Sequence, residues 1–207
     1  DKFQKLADVM EMSDPDSLYY RLTSQWTDPE HLLIKGKETK TIVTDRGKWP
    51  KLENFIQRMM YLDTVSYLPD DILVKVDRAS MGVSLEARIP FLDHRLVEWA
   101  WKIPQSMKIK NGCGKWLLRQ VLYQYVPKDL VDRPKMGFGI PLASWLRDPL
   151  KDWAENLLSE KKLREGGFFK PAPIREKWEE HLKGKRHWHF NLWNILMFQD
   201  WLETNGH

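Results

Sequence analysis

A chain of 207 residues suits one domain, or one and a small appendage, and can bury a sizeable core. Its balance is mildly basic, a formal +4, but Lys and Arg are interleaved with Asp and Glu, which reads as a mixed solvated surface and not as a basic arm for nucleic acid. No apolar run is long enough to span a bilayer, no basic-then-apolar leader is visible, and the one cysteine, Cys113, excludes an internal disulfide, so a soluble protein of the reducing cytoplasm is expected.

In chain order, residues 1–26 read as helical at both ends around a loop at Ser13-Asp14-Pro15-Asp16. Residues 35–50 are polar and hold Gly36, Gly47 and Pro50, an exposed connection. Residues 52–62 place Phe55, Met59, Met60 and Leu62 at helical spacing. Pro69 then suits the first position of a new helix, where its missing N–H would have no partner anyway, and Asp70 and Asp71 suit the positive end of its dipole. That helix is expected to reach about Val83. A further helix over 91–101 stops near Pro104, and 103–110 reads as a short extended piece. Residues 115–125 form a helix ended by Pro127, 128–131 a short helical turn, and 133–141 a glycine-containing loop. Residues 142–160, 174–182 and 190–202 read as helices, with a loop at 166–173. The eleven tryptophans mostly neighbour Leu, Ile or Phe, so they are read as core and interface residues in preference to base-stacking platforms. Alternating strand patterns are almost absent. One mostly α unit is expected over 51–207, preceded by a helical and linker segment over 1–50.

Five segments then carry a resemblance when taken together. They are Tyr67 to Met81 (YLPDDILVKVDRASM), Leu85 to Asp93 (LEARIPFLD), Gly114 to Arg119 (GKWLLR), Arg133 to Phe138 (RPKMGF) and Leu192 to Leu196 (LWNIL). In that order they resemble the synthetase domain of the glutamine-hydrolysing asparagine synthetases, from about residue 55 to the end. The resemblance implies an α/β adenine-nucleotide α-hydrolase-like (ATP-pyrophosphatase) domain that adenylates an aspartate-type carboxylate with ATP and Mg2+. Ammonia, released from glutamine by a separate N-terminal glutaminase domain, then displaces AMP. The family's Ser-Gly-Gly-x-Asp-Ser phosphate loop and its acidic glycine-rich loop have no counterpart here. The expectation is therefore the helical C-terminal portion of that domain, with its parallel sheet, phosphate loop and glutaminase outside this chain. Such a piece would bind neither ATP nor Mg2+ by itself and would be inactive alone. A homodimer is compatible with the sequence.

Lys75 and Arg78 lie three apart on one helical face, while Asp77 points elsewhere. On spacing alone, Asp71 and Lys75 make an ordinary i,i+4 ion pair worth about a few tenths of a kcal/mol. The resemblance instead implies that Lys75, Asp77 and Arg78 line the ATP and substrate cleft. Glu86 and Arg88 flank a corner that Pro90 pushes towards extended geometry, and a buried pair there would fix it; Asp93 suits the N-cap of the next helix. These three are read as structural. Gly112-Cys113-Gly114-Lys115 fails the Walker pattern, since Ile109 stands at the first glycine's place and Trp116 follows the lysine, so a tight turn is expected there. Lys135, between Pro134 and Gly137, is the residue to which the resemblance gives phosphate contact, as a compact cation over the leaving pyrophosphate. The basic run from Lys183 to His189 reads as a solvated loop, and His187-x-His189 alone lacks further ligands in sequence, so no metal is expected. The rival reading is a non-catalytic helical module for RNA or an acidic partner. It differs in one respect: only a piece of an enzyme domain should expose an apolar face where a sheet packed.

Overall fold

A computed structural model describes residues 14–134 and 139–205, and these are mostly helical. The chain divides into two compact units, one formed by Asp1–Ile72 with Ile140–His207 and the other by Leu73–Gly139, in place of the single unit expected. The division does not fall at residue 50. The reason is non-local: the backbone N–H of Ile34 bonds the carbonyl of Phe168 at 2.9 Å, and that of Lys170 bonds the carbonyl of Leu32 at 2.7 Å. These bonds tie the early chain to the late chain. No helix of the described residues is long and apolar enough to cross a membrane.

In the first unit, α1 (Pro15–Thr23) begins at Asp14, whose carboxylate accepts the N–H groups of Asp16 and Ser17 at 3.0 and 2.9 Å. What reads as a loop at Asp14-Pro15 is thus a cap with proline at the first helical position. Helix α2 (Phe55–Leu62) is capped by Asn54, which accepts from Gln57 N at 3.0 Å. Arg58 of α2 reaches back to Asp16 at 2.9 Å, and the Tyr19 hydroxyl donates to Asp63 at 2.8 Å.

Residues Asp63–Leu73 follow as a π-helical stretch with Pro69 inside it. This corrects the expectation that Pro69 opens a helix. A proline in an ordinary helix interior clashes with the carbonyl four residues back, and the wider π turns relieve that clash.

The rest of the first unit is a helical bundle. It comprises α8 (Leu142–Trp145), α9 (Lys151–Leu157), α10 (Glu160–Gly166), α11 (Pro171–Leu182) and α12 (His189–Asn205). The single helix expected over 142–160 is broken twice. Pro149 offers no N–H between α8 and α9, and Ser159 caps α10 by accepting from Lys162 N at 3.4 Å. Gly167 ends α10 at φ 73°, a left-handed conformation that suits a residue without Cβ. Leu146, Leu158, Leu163, Ile174, Trp178 and Leu196 are fully buried at the centre. Trp26 and Phe169 pack against them. Other tryptophans are less internal than expected: Trp99 and Trp201 are exposed, while Trp188 keeps its indole N–H on Glu180 at 2.6 Å.

The second unit holds α3 (Val74–Met81), α4 (His94–Lys102), α5 (Gln105–Lys108), α6 (Trp116–Leu122) and α7 (Lys128–Val131). Among its described residues a small sheet pairs β1 (Ile109–Lys110) with β2 (Cys113–Gly114) in antiparallel register. The turn between them is Asn111-Gly112, both at positive φ, 51° and 73°. That dipeptide matches the right-handed twist of a two-residue hairpin, a signal read in sequence only as a tight turn. Half of the extended piece expected over 103–110 is the helical turn α5.

Candidate functional site

Lys75, Asp77 and Arg78 all lie on α3, and all three side chains are exposed. The helix stops where the N–H of Gly82 bonds the carbonyl of Arg78 at 3.0 Å, and Ser84 then turns the chain at φ 59°. Glu86 and Arg88 do pair, at 3.1 Å, but the pair is exposed on both sides and not the buried corner expected. Two charges in water gain little net energy from each other, so this pair does not by itself hold the corner. A 3-10 turn at Pro90–Leu92 leads to Asp93, which accepts from Arg95 N at 2.9 Å and starts α4. The Arg95 guanidinium and backbone N–H beside it hold the Asp93 carboxyl below its ordinary value.

Lys135 lies outside the described residues, as do Met136, Gly137 and Phe138. What leads into that segment is described. Asp132 accepts from the Arg119 guanidinium and from the Tyr123 hydroxyl, the latter at 2.7 Å, and Lys128 stands 3.9 Å away. Arg119 Nε also donates to the carbonyl of Gly114 at 3.2 Å. One arginine thus joins the hairpin, α6 and the residue that precedes Arg133-Pro134. Arg119 stands within the Gly114 to Arg119 motif, but nothing in the local sequence points to a role for it or for Asp132. Thirteen residues separate the two, and no local periodicity links them.

The first unit contains a second gathering of polar side chains that sequence alone did not assemble. His181, near the end of α11, His187 in the following loop and His189 at the start of α12 bring one ring nitrogen each within 4.8 Å of one another. His181 is fully buried, and neither of its ring nitrogens makes a well-formed hydrogen bond among the described residues, the Ala143 backbone giving only a weak attraction. Burial, then the charge of Arg147, then His189, push its pKa down to about 4, against a pull the other way from the Ala143 backbone. Arg147 donates from Nε to the His181 carbonyl at 2.8 Å, and its Nη2 lies 3.2 Å from His187 Nδ1.

The family model described as "Asparagine synthase" matches residues 1–203, which extends the likeness from about residue 55 back into the first fifty residues. The glutamine-hydrolysing asparagine synthetase 1 of Bacillus subtilis is 32% identical over 81% of this chain and 26% of its own length. A putative glutamine-hydrolysing asparagine synthetase of Mycobacterium tuberculosis is 35% identical over 70% of this chain and 22% of its own. The corresponding synthetase of Gallus gallus is 32% identical over 58% of this chain. The chain spans about a quarter of the length of the curated relatives it matches. No solved structure matches it.

Proposed function

The chain belongs to the asparagine synthase family, and from that premise we propose that it is the helical C-terminal part of an ATP-dependent amidoligase. The ligase adenylates an aspartate-type carboxylate and transfers ammonia from glutamine to it. In this reading the carboxylate oxygen attacks the α-phosphorus of Mg-ATP, pyrophosphate leaves, and ammonia then attacks the acyl carbon and expels AMP. Lys75, Asp77 and Arg78 line the cleft, and Lys135 stabilises the charge that builds on pyrophosphate. The phosphate-gripping loop and the parallel sheet of the ATP-pyrophosphatase fold belong to parts of the ligase outside this chain, so the chain alone is inactive.

One observation carries this reading. No described residue of the second unit is buried, although the unit is rich in large apolar side chains. Val83, Leu85, Phe91, Tyr125 and Leu130 are between 59% and 79% exposed. A free-standing binding module buries such residues, because each apolar side chain left in water forfeits about 1.5–3 kcal/mol. A helical piece that packs on a sheet does not need to. That difference favours the ligase reading over the helical module.

The test compares two proteins. This chain, given aspartate, ammonia, Mg2+ and ATP, should release no pyrophosphate above buffer. A protein in which the same segment follows a Ser-Gly-Gly-x-Asp-Ser loop in frame should release pyrophosphate and AMP together. Steady release from the chain alone would refute its dependence on the missing parts. Failure of the longer protein on every aspartate-type carboxylate would refute the ligase reading.

A further inference from the structure

We propose that His181, His187 and His189 form a three-histidine site for a divalent transition metal of the zinc class, which pins the end of α11 to the start of α12. Three neutral imidazoles suit zinc, nickel or copper and leave one position for water. Bond lengths of about 2.0–2.1 Å would set the nitrogens of a tetrahedral centre roughly 3.4 Å apart. Here all three donors already lie within 4.8 Å of one another. His187 is exposed and can swing to close that gap.

The buried member is the stronger clue. Neither ring nitrogen of His181, both in the interior, makes a well-formed hydrogen bond among the described residues, the Ala143 backbone giving only a weak attraction, whereas buried imidazoles ordinarily find a full partner. Its backbone is held on two sides: the carbonyl accepts from Gly184 N at 3.1 Å and from Arg147 Nε at 2.8 Å. Gly184, at φ 70°, turns the chain back so that the two later histidines face the first. The rings of His181 and His189 are 6.1 Å apart and those of His187 and His189 are 6.0 Å apart, which leaves space for an ion between them. Arg147 opposes a cation here, so metal binding must take its Nη2 away from His187 while its Nε keeps the His181 carbonyl. No Asp, Glu or Cys donor joins the group among the described residues.

The experiment uses the tag-free chain stripped with EDTA. Zn2+ is titrated in competition with a chromophoric chelator, and Co2+ serves as an optical probe of coordination. Binding of one ion per chain is expected, with tetrahedral-type Co2+ absorption and a rise in Tm on adding Zn2+. His181→Ala removes a buried side chain and can fail to fold, so His187→Ala and His189→Ala carry the test, with far-UV circular dichroism to confirm their fold. Each should weaken Zn2+ binding by about tenfold or more and abolish the Tm rise. His31→Ala, which removes an exposed histidine elsewhere, should change neither. Absence of Zn2+ binding by the parent chain, or binding that survives His187→Ala and His189→Ala unchanged, would overturn the assignment.

Discussion

The Glu155 carboxylate accepts the indole N–H of the fully buried Trp178 at 2.5 Å, joining α9 to α11. Arg175 pairs with the same carboxylate at 2.7 Å. Burial raises the pKa of Glu155, but Trp178 and Arg175 more than offset this and hold it below the ordinary value. Trp178→Ala should therefore cost about 3–5 kcal/mol, because it removes the largest side chain of the core and leaves a cavity. Trp178→Phe should cost less, since Glu155 keeps Arg175 and most of the volume is refilled. Urea unfolding followed by far-UV circular dichroism ranks the two, and equal losses would show that the hydrogen bond and not the packing dominates.

Stability should fall in alkali through Tyr19. Burial first, and then the Asp63 carboxylate that accepts its hydroxyl, raise the Tyr19 pKa above its ordinary 10.0. A raised folded-state pKa means that the neutral phenol is favoured in the folded chain. Its contribution is complete below the unfolded pKa near 10 and is lost progressively as the pH rises beyond it. Tyr19→Phe should be less stable by about 1 kcal/mol at neutral pH and should show a shallower alkaline loss. Thermal melts of both proteins across the alkaline range measure this, and identical slopes would remove Tyr19 as the cause.

Asp132→Ala should loosen the second unit and leave the first intact. It removes the acceptor shared by Arg119 and Tyr123. Amide hydrogen exchange should quicken in α6 and α7 while α9 to α12 keep their protection, because the two units are compact separately. Uniform acceleration along the whole chain would contradict that division.

In a ligase that carries this segment together with its phosphate loop, Lys135→Ala should slow adenylate formation about a hundredfold and weaken ATP binding much less. A cation that acts on charge appearing only in the transition state affects the chemical step, whereas uniform binding affects affinity. Lys135→Arg should rescue in part, since a planar guanidinium cannot reproduce a compact charge on a flexible stem. Single-turnover kinetics resolve the two effects. Wild-type adenylation by Lys135→Ala would make Lys135 an ordinary loop residue.

Much of the local structure is legible in the sequence because its causes are local. Asp93 caps α4 through its own neighbour Arg95, as its place after Pro90 suggests, whereas α11 begins at Pro171, three residues before the start read from the apolar spacing, because proline at the first helical position looks in sequence like the loop that precedes it. The mostly helical character follows from apolar spacing within single segments. The family, too, was readable from short motifs, since each is a stretch of consecutive residues.

Wherever two distant parts of the chain meet, local pattern says nothing. Pro69 reads as a helix start and lies inside a π stretch, because only the register of the whole helix decides which carbonyl it would strike. Asp132 reads as one acid among many until the fold brings Arg119 and Tyr123 to it. His187 and His189 share a short spacing, but the buried His181 that faces them arrives only when Gly184 reverses the chain. Composition, caps and motif order were determined by the sequence itself, through interactions within a turn or two of chain. The two-unit division, the buried imidazole and the apolar surface left bare over the second unit were decided by tertiary packing, because burial belongs to the space between segments.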